Sequence, residues 1–162
     1  EIESSISPDD NELFIAIGAV DRKSLDLRSK LAETVNKLGF DFASAISPLA
    51  HIASNVEIES GAFVAHGATL STKCKIKQHV IINSNSIIGH DAEIHENTIV
   101  APGAFIGGNT KIGANSIIGP NANILQGLTV GKNVVVSLQA NVVRNVKDST
   151  TIRPSFSKKI IK

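Results

Sequence analysis

Every sixth residue from Ile46 to Val142 is Ile, Val or Leu, a run of 17 positions without exception or insertion. Apolar positions recur every 3.6 residues on an amphipathic helix and every 2 on a half-buried strand, so neither gives a strict step of six over about 100 residues. Two further columns keep the same step. Four residues after each aliphatic comes a mostly small side chain, as at Ala62, Ala68, Cys74, Ser86, Ala92 and Ala104. Three residues after it, Gly, Asn or Asp recurs, as at Asn55, Gly67, Asn85, Asp91, Asn109 and Asn145. These residue types tolerate positive φ at low cost, so that slot reads as a tight corner. The repeating unit is a short β segment and a corner, with one large and one small side chain turned inward. Such hexapeptide repeats predict a parallel β-helix whose core is a stack of aliphatics. A prism filled this way has no inward room for a ligand, so its function must lie on the outside.

The flanks follow other rules. Residues 13–18 (Leu-Phe-Ile-Ala-Ile-Gly) predict a buried strand. Leu25, Leu27, Leu31, Val35 and Leu38 then share roughly one helical face, and Gly39 stops the helix. One strand makes no stable sheet, so this looks like the tail of an α/β unit. The expected organisation is a partial α/β segment over 1–45, a β-helix over 46–147 and a capping extension over 148–162, the last carrying Pro154 and Lys158-Lys159.

Composition narrows the function. Six Phe, no Trp and no Tyr leave Ile, Val, Leu and Ala to fill the interior. The net charge of +1, with no basic run interleaved with aromatics, argues against a dedicated nucleic-acid module. No apolar run approaches the ~20 residues of a membrane helix, and no secretory h-region opens the chain. The single Cys excludes an intramolecular disulfide framework, which makes the reducing cytoplasm the expected compartment. Met is absent even from position 1, so a processed or truncated N-terminus is expected.

The repeat resembles the left-handed β-helix, in which three hexapeptides form one triangular coil of about 18 residues and residues 46–147 give about six coils. The segment Ile82-Asn83-Ser84-Asn85-Ser86-Ile87-Ile88-Gly89-His90-Asp91-Ala92-Glu93-Ile94 resembles the Asn-Thr…His-Asp/Glu signature of the sialic acid O-acetyltransferases and UDP-4-amino-sugar N-acetyltransferases (NeuD/PglD-like enzymes). Val100-Ala101-Pro102-Gly103-Ala104, Phe105-Ile106-Gly107-Gly108-Asn109, Phe14-Ile15-Ala16-Ile17-Gly18, Arg22 and Ile46-Ser47-Pro48-Leu49-Ala50 match in the same order. The resemblance implies acetyl transfer from acetyl-CoA, without a metal, to the amine of a nucleotide-activated amino sugar in bacterial surface-glycan synthesis. O-acetylation of sialic acid or a related sugar is the alternative. It implies His90 as general base, Asp91 as the acid orienting it, and the Gly108 N–H as donor to the thioester oxygen, with Gly107 beside it. Asn83 and Ser84 stand where the Asn-Thr pair would meet substrate. It also implies a homotrimer with acetyl-CoA between adjacent prisms, and Ile81, Ile87 and Ile117 are the exposed apolar residues expected to pack there.

Spacing supports the central pair on its own terms. Gly108 is 18 residues after His90, one coil above and about 5 Å along the axis. An imidazole with an ordinary pKa of about 6.5 suits proton removal from an attacking amine. The departures from the family are also specific. Ile99 stands where a second His near acetyl-CoA is usual, and His95, in a neighbouring slot where glycine is usual, is a further candidate cofactor contact. The C-terminal Gly-x-Pro-Ala-Lys has become Ile152-Arg153-Pro154-Ser155-Phe156-Ser157-Lys158, and the family's N-terminal strand and glycine-rich turn do not appear. His51, His66 and His79 read as surface residues, Cys74 as packing, and Arg144 with Lys158-Lys159 as cations near CoA phosphates or merely solvated. Two other readings compete. His90 and His95 reproduce the His-x4-His pair of γ-class carbonic anhydrases, whose third zinc ligand would fall at Ser54. A non-catalytic β-helix scaffold is the other.

Overall fold

The computed structural model describes residues 6–155. Two-residue strands separated by tight corners build three parallel sheets, the faces of a triangular β-helix. The first face holds seven strands, from Ala45–Ile46 to Thr151–Ile152; the second holds six, from His51–Ile52 to Asn141–Val142; the third holds five, from Glu57–Ile58 to Thr129–Val130. Residues 18 apart pair in register on each face, as in Ile88↔Ile106 and Ile94↔Ile112. The expected coil period is therefore the observed one. Val130↔Val146 and Val135↔Thr151 are only 16 apart, so the last coil is shortened but still hydrogen-bonded.

Both inward columns are fully buried in one continuous core that runs from Ala62 to Val146. Cys74 lies in it, and burial pushes its thiol up to about 11. Where the small column is polar, the next coil satisfies the hydroxyl: Ser86 donates to the Ala101 carbonyl (3.1 Å) and Thr98 to that of Gly113 (3.1 Å). Asn85, Asp91, Asn97, Asn109, Asn115, Asn121 and Asn133 take φ between 52° and 57° at the corners. Lys73, His79 and Gln139 adopt the same conformation, whereas Asn55 and Asn145, near the ends of the stack, do not. Asn145 instead spends its side chain on the Thr129 N–H (2.8 Å), where the coil shortens.

The three faces differ in what they turn outward. The third presents Glu57, Lys75, Glu93, Lys111 and Thr129 in sequence, a solvated ladder of alternating charge. The second carries Ile87, Phe105, Leu125 and Val143, all exposed. The first presents Phe63, Ile81, Ile99 and Ile117, and the N-terminal unit covers it. Ile81 and Ile117 were expected to be exposed for packing between prisms. They are instead buried beneath Ala19 and Leu25 of their own chain. Only Ile87 of the three stands free.

The covering unit is α1 (Arg22–Lys37) with β1 (Glu12–Leu13) parallel to β2 (Asp41–Phe42). Asp21 caps the helix, accepting from the Ser24 N–H (2.8 Å) while its own N–H reaches Ser24 Oγ (3.2 Å). Gly39, at φ +82°, ends it. The expected strand over 13–18 contracts to Glu12–Leu13, because residues 14–18 leave the ladder. On α1 the buried positions are Leu25, Arg28 and Val35, while Leu27 and Leu38 are exposed. Leu27 falls about 200° around the helix from Leu25, and Arg28 takes the inward place that a leucine-only reading gave it.

Candidate active site

His90 and Asp91 occupy the corner between the second and third faces. The chain turns there because Asp91 accepts φ +56°, a conformation costly to most side chains. The Asp91 carboxylate stands 2.9 Å from His90 Nδ1, with both side chains substantially exposed. An Nδ1–H donated to that carboxylate leaves Nε2 as the free base nitrogen. The ring lies against Gly108 of the next coil: a Cβ placed there would stand 2.6 Å from Nε2 and 2.8 Å from Cδ2 and Cε1. The coils are tied at this point by the Asn109 N–H donating to the His90 carbonyl (2.8 Å). The stacking expected from the 18-residue interval is thus present, and any side chain at 108 would displace the ring from this position.

Gly89 directly precedes His90 in the chain. A Cβ on Gly89 would meet the Gly108 nitrogen at 2.4 Å, so the two coils approach this closely because residue 89 has no side chain. The Gly108 N–H has no backbone acceptor among the described residues. An exposed imidazole and the unclaimed N–H of a buried glycine thus lie side by side. That is the pair of groups needed to remove a proton from a nucleophile and to receive charge on a carbonyl oxygen. The signal in the sequence is a glycine directly after the strand in both coils, at Gly89 and Gly107. Gly107 lies under the next coil, where a Cβ would meet the Gln126 nitrogen at 2.5 Å.

The remaining candidates lie elsewhere. Asn83 and Ser84 sit at the corner between the first and second faces, one strand away from His90. Asn83 Nδ2 donates to the Val100 carbonyl (3.0 Å), and Ser84 Oγ is 3.4 Å from His66 Nδ1. Asn83 also lines a cavity of about 580 Å³ between the Gly18–Val20 segment and the first face, with Pro102, Pro120 and Leu138. His95 follows the Glu93–Ile94 strand towards the third corner, beside Glu93 (3.7 Å) and Glu96 (3.8 Å), and the strand separates it from His90. The His-x4-His pair therefore does not converge, and no cluster of three or more His, Cys, Asp or Glu gathers among the described residues. Ile99 is buried under α1, so the family's second-histidine position does not reach the His90 edge. His51 and His66 are exposed as expected, but His79 is buried, edge-on to Phe42 at 4.3 Å. Arg144 is exposed on the same edge as His90, three coils further on, and Phe156 to Lys159 lie outside the described residues. No helix among the described residues is long and apolar enough to cross a membrane.

Residues 73–108 match the bacterial transferase hexapeptide (six repeats) family. Three solved structures are similar over most of the chain. The acetyltransferase domain of PglB from Neisseria gonorrhoeae, in complex with acetyl coenzyme A, is 29% identical (TM-score 0.85), over 93% of this chain and 74% of that one. A variant of perosamine N-acetyltransferase from Caulobacter crescentus, in complex with CoA and GDP-perosamine, is 25% identical (TM-score 0.81), over 90% and 70%. WeeI from Acinetobacter baumannii is 29% identical (TM-score 0.76), over 80% and 66%. No curated protein matches the sequence. The resemblance to hexapeptide-repeat sugar acetyltransferases and the left-handed parallel β-helix it implies both stand.

Proposed function

We propose that this chain is an acetyl-CoA-dependent sugar acetyltransferase, acting on the amine of a nucleotide-activated amino sugar in glycan biosynthesis. The observation that carries the reading is the His90 ring held by Asp91 against Gly108, whose N–H has no acceptor among the described residues. Similarity to structures containing acetyl-CoA, and CoA with GDP-perosamine, supports the donor and the acceptor class.

Each group has one task. His90 Nε2 takes the proton from the sugar amine as the nitrogen attacks the thioester carbonyl carbon. The Gly108 N–H stabilises the oxygen as negative charge develops, an effect worth ~3 kcal/mol per donor. The C–S bond then breaks, the thiolate recovers the proton from the imidazolium, and the amide is the product. Asp91 holds the tautomer that leaves Nε2 free.

Within one chain the Asn83–Ser84 corner and the His90 corner are separated by the width of the second face. A site using both needs the Asn83 corner of one copy against the His90 corner of another. Such a head-to-tail contact closes into a ring, here the expected homotrimer, and buries the apolar second face with Ile87, Phe105, Leu125 and Val143. The test is thiol release from acetyl-CoA across a panel of nucleotide amino sugars and sialic acids, with light scattering for the oligomer. Turnover only with hydroxyl acceptors would move the reading to O-acetylation, and no turnover with any acceptor would leave a scaffold.

A further inference from the structure

Arg28 is 1% exposed, the largest fully buried side chain of the described residues. No carboxylate reaches it; burial holds its guanidinium below the usual arginine range. Its donors go to carbonyl and amide oxygens instead. Nε reaches Asn97 Oδ1 (3.1 Å), Nη2 the His79 carbonyl (3.0 Å), and Nη1 the carbonyls of Ile15 (3.3 Å) and Ile17. A buried cation without a counter-ion is costly, and an apolar side chain would fill the same volume more cheaply. What leucine or methionine cannot do is hold three backbone carbonyls from two separate parts of the fold.

Two of those carbonyls belong to the segment that left the β1 ladder. Residues 14–18 pair with no strand, so this stretch is held by the guanidinium together with the packing of Ile15 on Val35, Phe40 and Phe42 and of Phe14 on Phe63, not by a sheet. The other anchors, His79 and Asn97, are prism corners, both at positive φ. Arg28 therefore fixes residues 15–17 relative to the prism. The next three residues, Gly18, Ala19 and Val20, form one wall of the 580 Å³ cavity, opposite Asn83. Ala19 is buried on Ile81, Ile99 and Ile117, while Val20 is almost fully exposed at the cavity rim.

We propose that Arg28 is a positioning residue for the acceptor: it sets the Gly18–Val20 wall of the Asn83 cavity, which receives the nucleotide sugar. This rests on the acetyltransferase reading given above. Arg28 touches no substrate; it acts through the backbone of residues 15–20.

The experiment uses Arg28→Lys, Arg28→Met and Val20→Trp in the full chain. A lysine supplies a single point donor and cannot span carbonyls placed for a planar fork, so it does not rescue. Both Arg28 variants should raise KM for the nucleotide sugar by about 10- to 100-fold, as expected for misplaced binding groups. KM for acetyl-CoA should stay unchanged, and amide hydrogen exchange should quicken over residues 13–20 but not in the prism strands. A merely structural role would move stability and exchange without splitting the two KM values, and that result overturns the proposal. If the Arg28 variants fail to fold, Val20→Trp decides, since an exposed rim residue tolerates bulk. An unchanged acceptor KM in that variant overturns the assignment of the wall. An inactive wild-type chain overturns the acetyltransferase reading and this inference together, whereas an active wild type with unaltered variants overturns this inference alone.

Discussion

Two corners of the prism are built from the same repeat and serve opposite ends. At the corner between the third and first faces, Asn97, Asn115 and Asn133 turn the chain at φ 53–57°. At the corner between the second and third faces, Asp91 and Asn109 turn it at 55–56°. The backbone requirement is the same, so the residue type alone does not separate them. What separates them is the neighbour outside. The first corner lies under α1, and arginines claim its oxygens: Arg28 takes Asn97 Oδ1, and Arg22 takes Asn133 Oδ1 (2.8 Å) and the Asn115 carbonyl (3.1 Å). The second lies open, and Asp91 turns its carboxylate to His90 instead. A short polar residue chosen for its backbone becomes a structural clamp where it is covered and a hydrogen-bond partner of His90 where it is not.

If that division holds, the open corner should yield its chemistry without its fold. His90→Ala should lower kcat by about 10²- to 10⁴-fold while the melting temperature stays at the wild-type value. An unaltered rate would remove His90 from the mechanism, and a collapsed melt would show that this corner is structural after all.

The covered corner should behave in the opposite way. Glycine keeps positive φ available, so Asn→Gly removes the side chain without straining the turn. Asn97→Gly strips Arg28 of one acceptor and removes the amide that reaches the Leu25 carbonyl (3.2 Å) and Ser29 Oγ (2.9 Å). It should cost about 3 kcal/mol in denaturant melts, since it leaves a buried cation partly unpaired. Asn109→Gly, the same change at an exposed corner, should stay within about 0.5 kcal/mol. Equal losses would mean that the covering unit adds nothing to its corner. The effect of Asp91→Asn should be smaller than that of Asn97→Gly, because the change keeps the turn and a neutral acceptor for Nδ1–H. Charge-assisted bonds are roughly twice as strong as neutral ones, so kcat/KM should fall by about 10-fold with stability unchanged.

The step of six made the prism legible, because a period that neither helix nor strand supports leaves few architectures. It also gave the stacking of Gly108 on His90, since residues 18 apart must lie one above the other. Three things escaped it. The outward positions Ile81, Ile99 and Ile117 have the same pattern as Ile87, and only the docked helix decides which are buried. Arg28 looks like any surface cation on an amphipathic helix, because partners 51 to 69 residues away in sequence leave no local trace. The separation of Asn83 from His90 was implicit in their spacing: seven residues is one face further on, not one coil up.

His79 offers the finest test of the comparison, because it is a corner residue that the covering unit has buried. Its ring is 9% exposed, edge-on to Phe42 of β2, and Nδ1 has no hydrogen-bond partner among the described residues. Burial holds its pKa below the ordinary histidine value, and the Arg28 charge adds to this. Asp41 of β2 and Glu12 of β1 share a cavity of about 280 Å³ with it, yet do not reverse the shift. With the folded pKa below the unfolded one, the unfolded chain binds the extra proton first as the pH falls. Stability from the neutral ring is therefore complete above about pH 6.5 and is lost progressively below it, down through the folded pKa. Urea midpoints measured from pH 7.5 to pH 5 should fall for the wild type and flatten in His79→Asn, which retains a side chain suited to φ +58°. The same slope in both proteins would mean that the junction between α1 and the prism does not sense this proton. The covered corner would then differ from the open one in packing alone, with no electrostatic contrast between them.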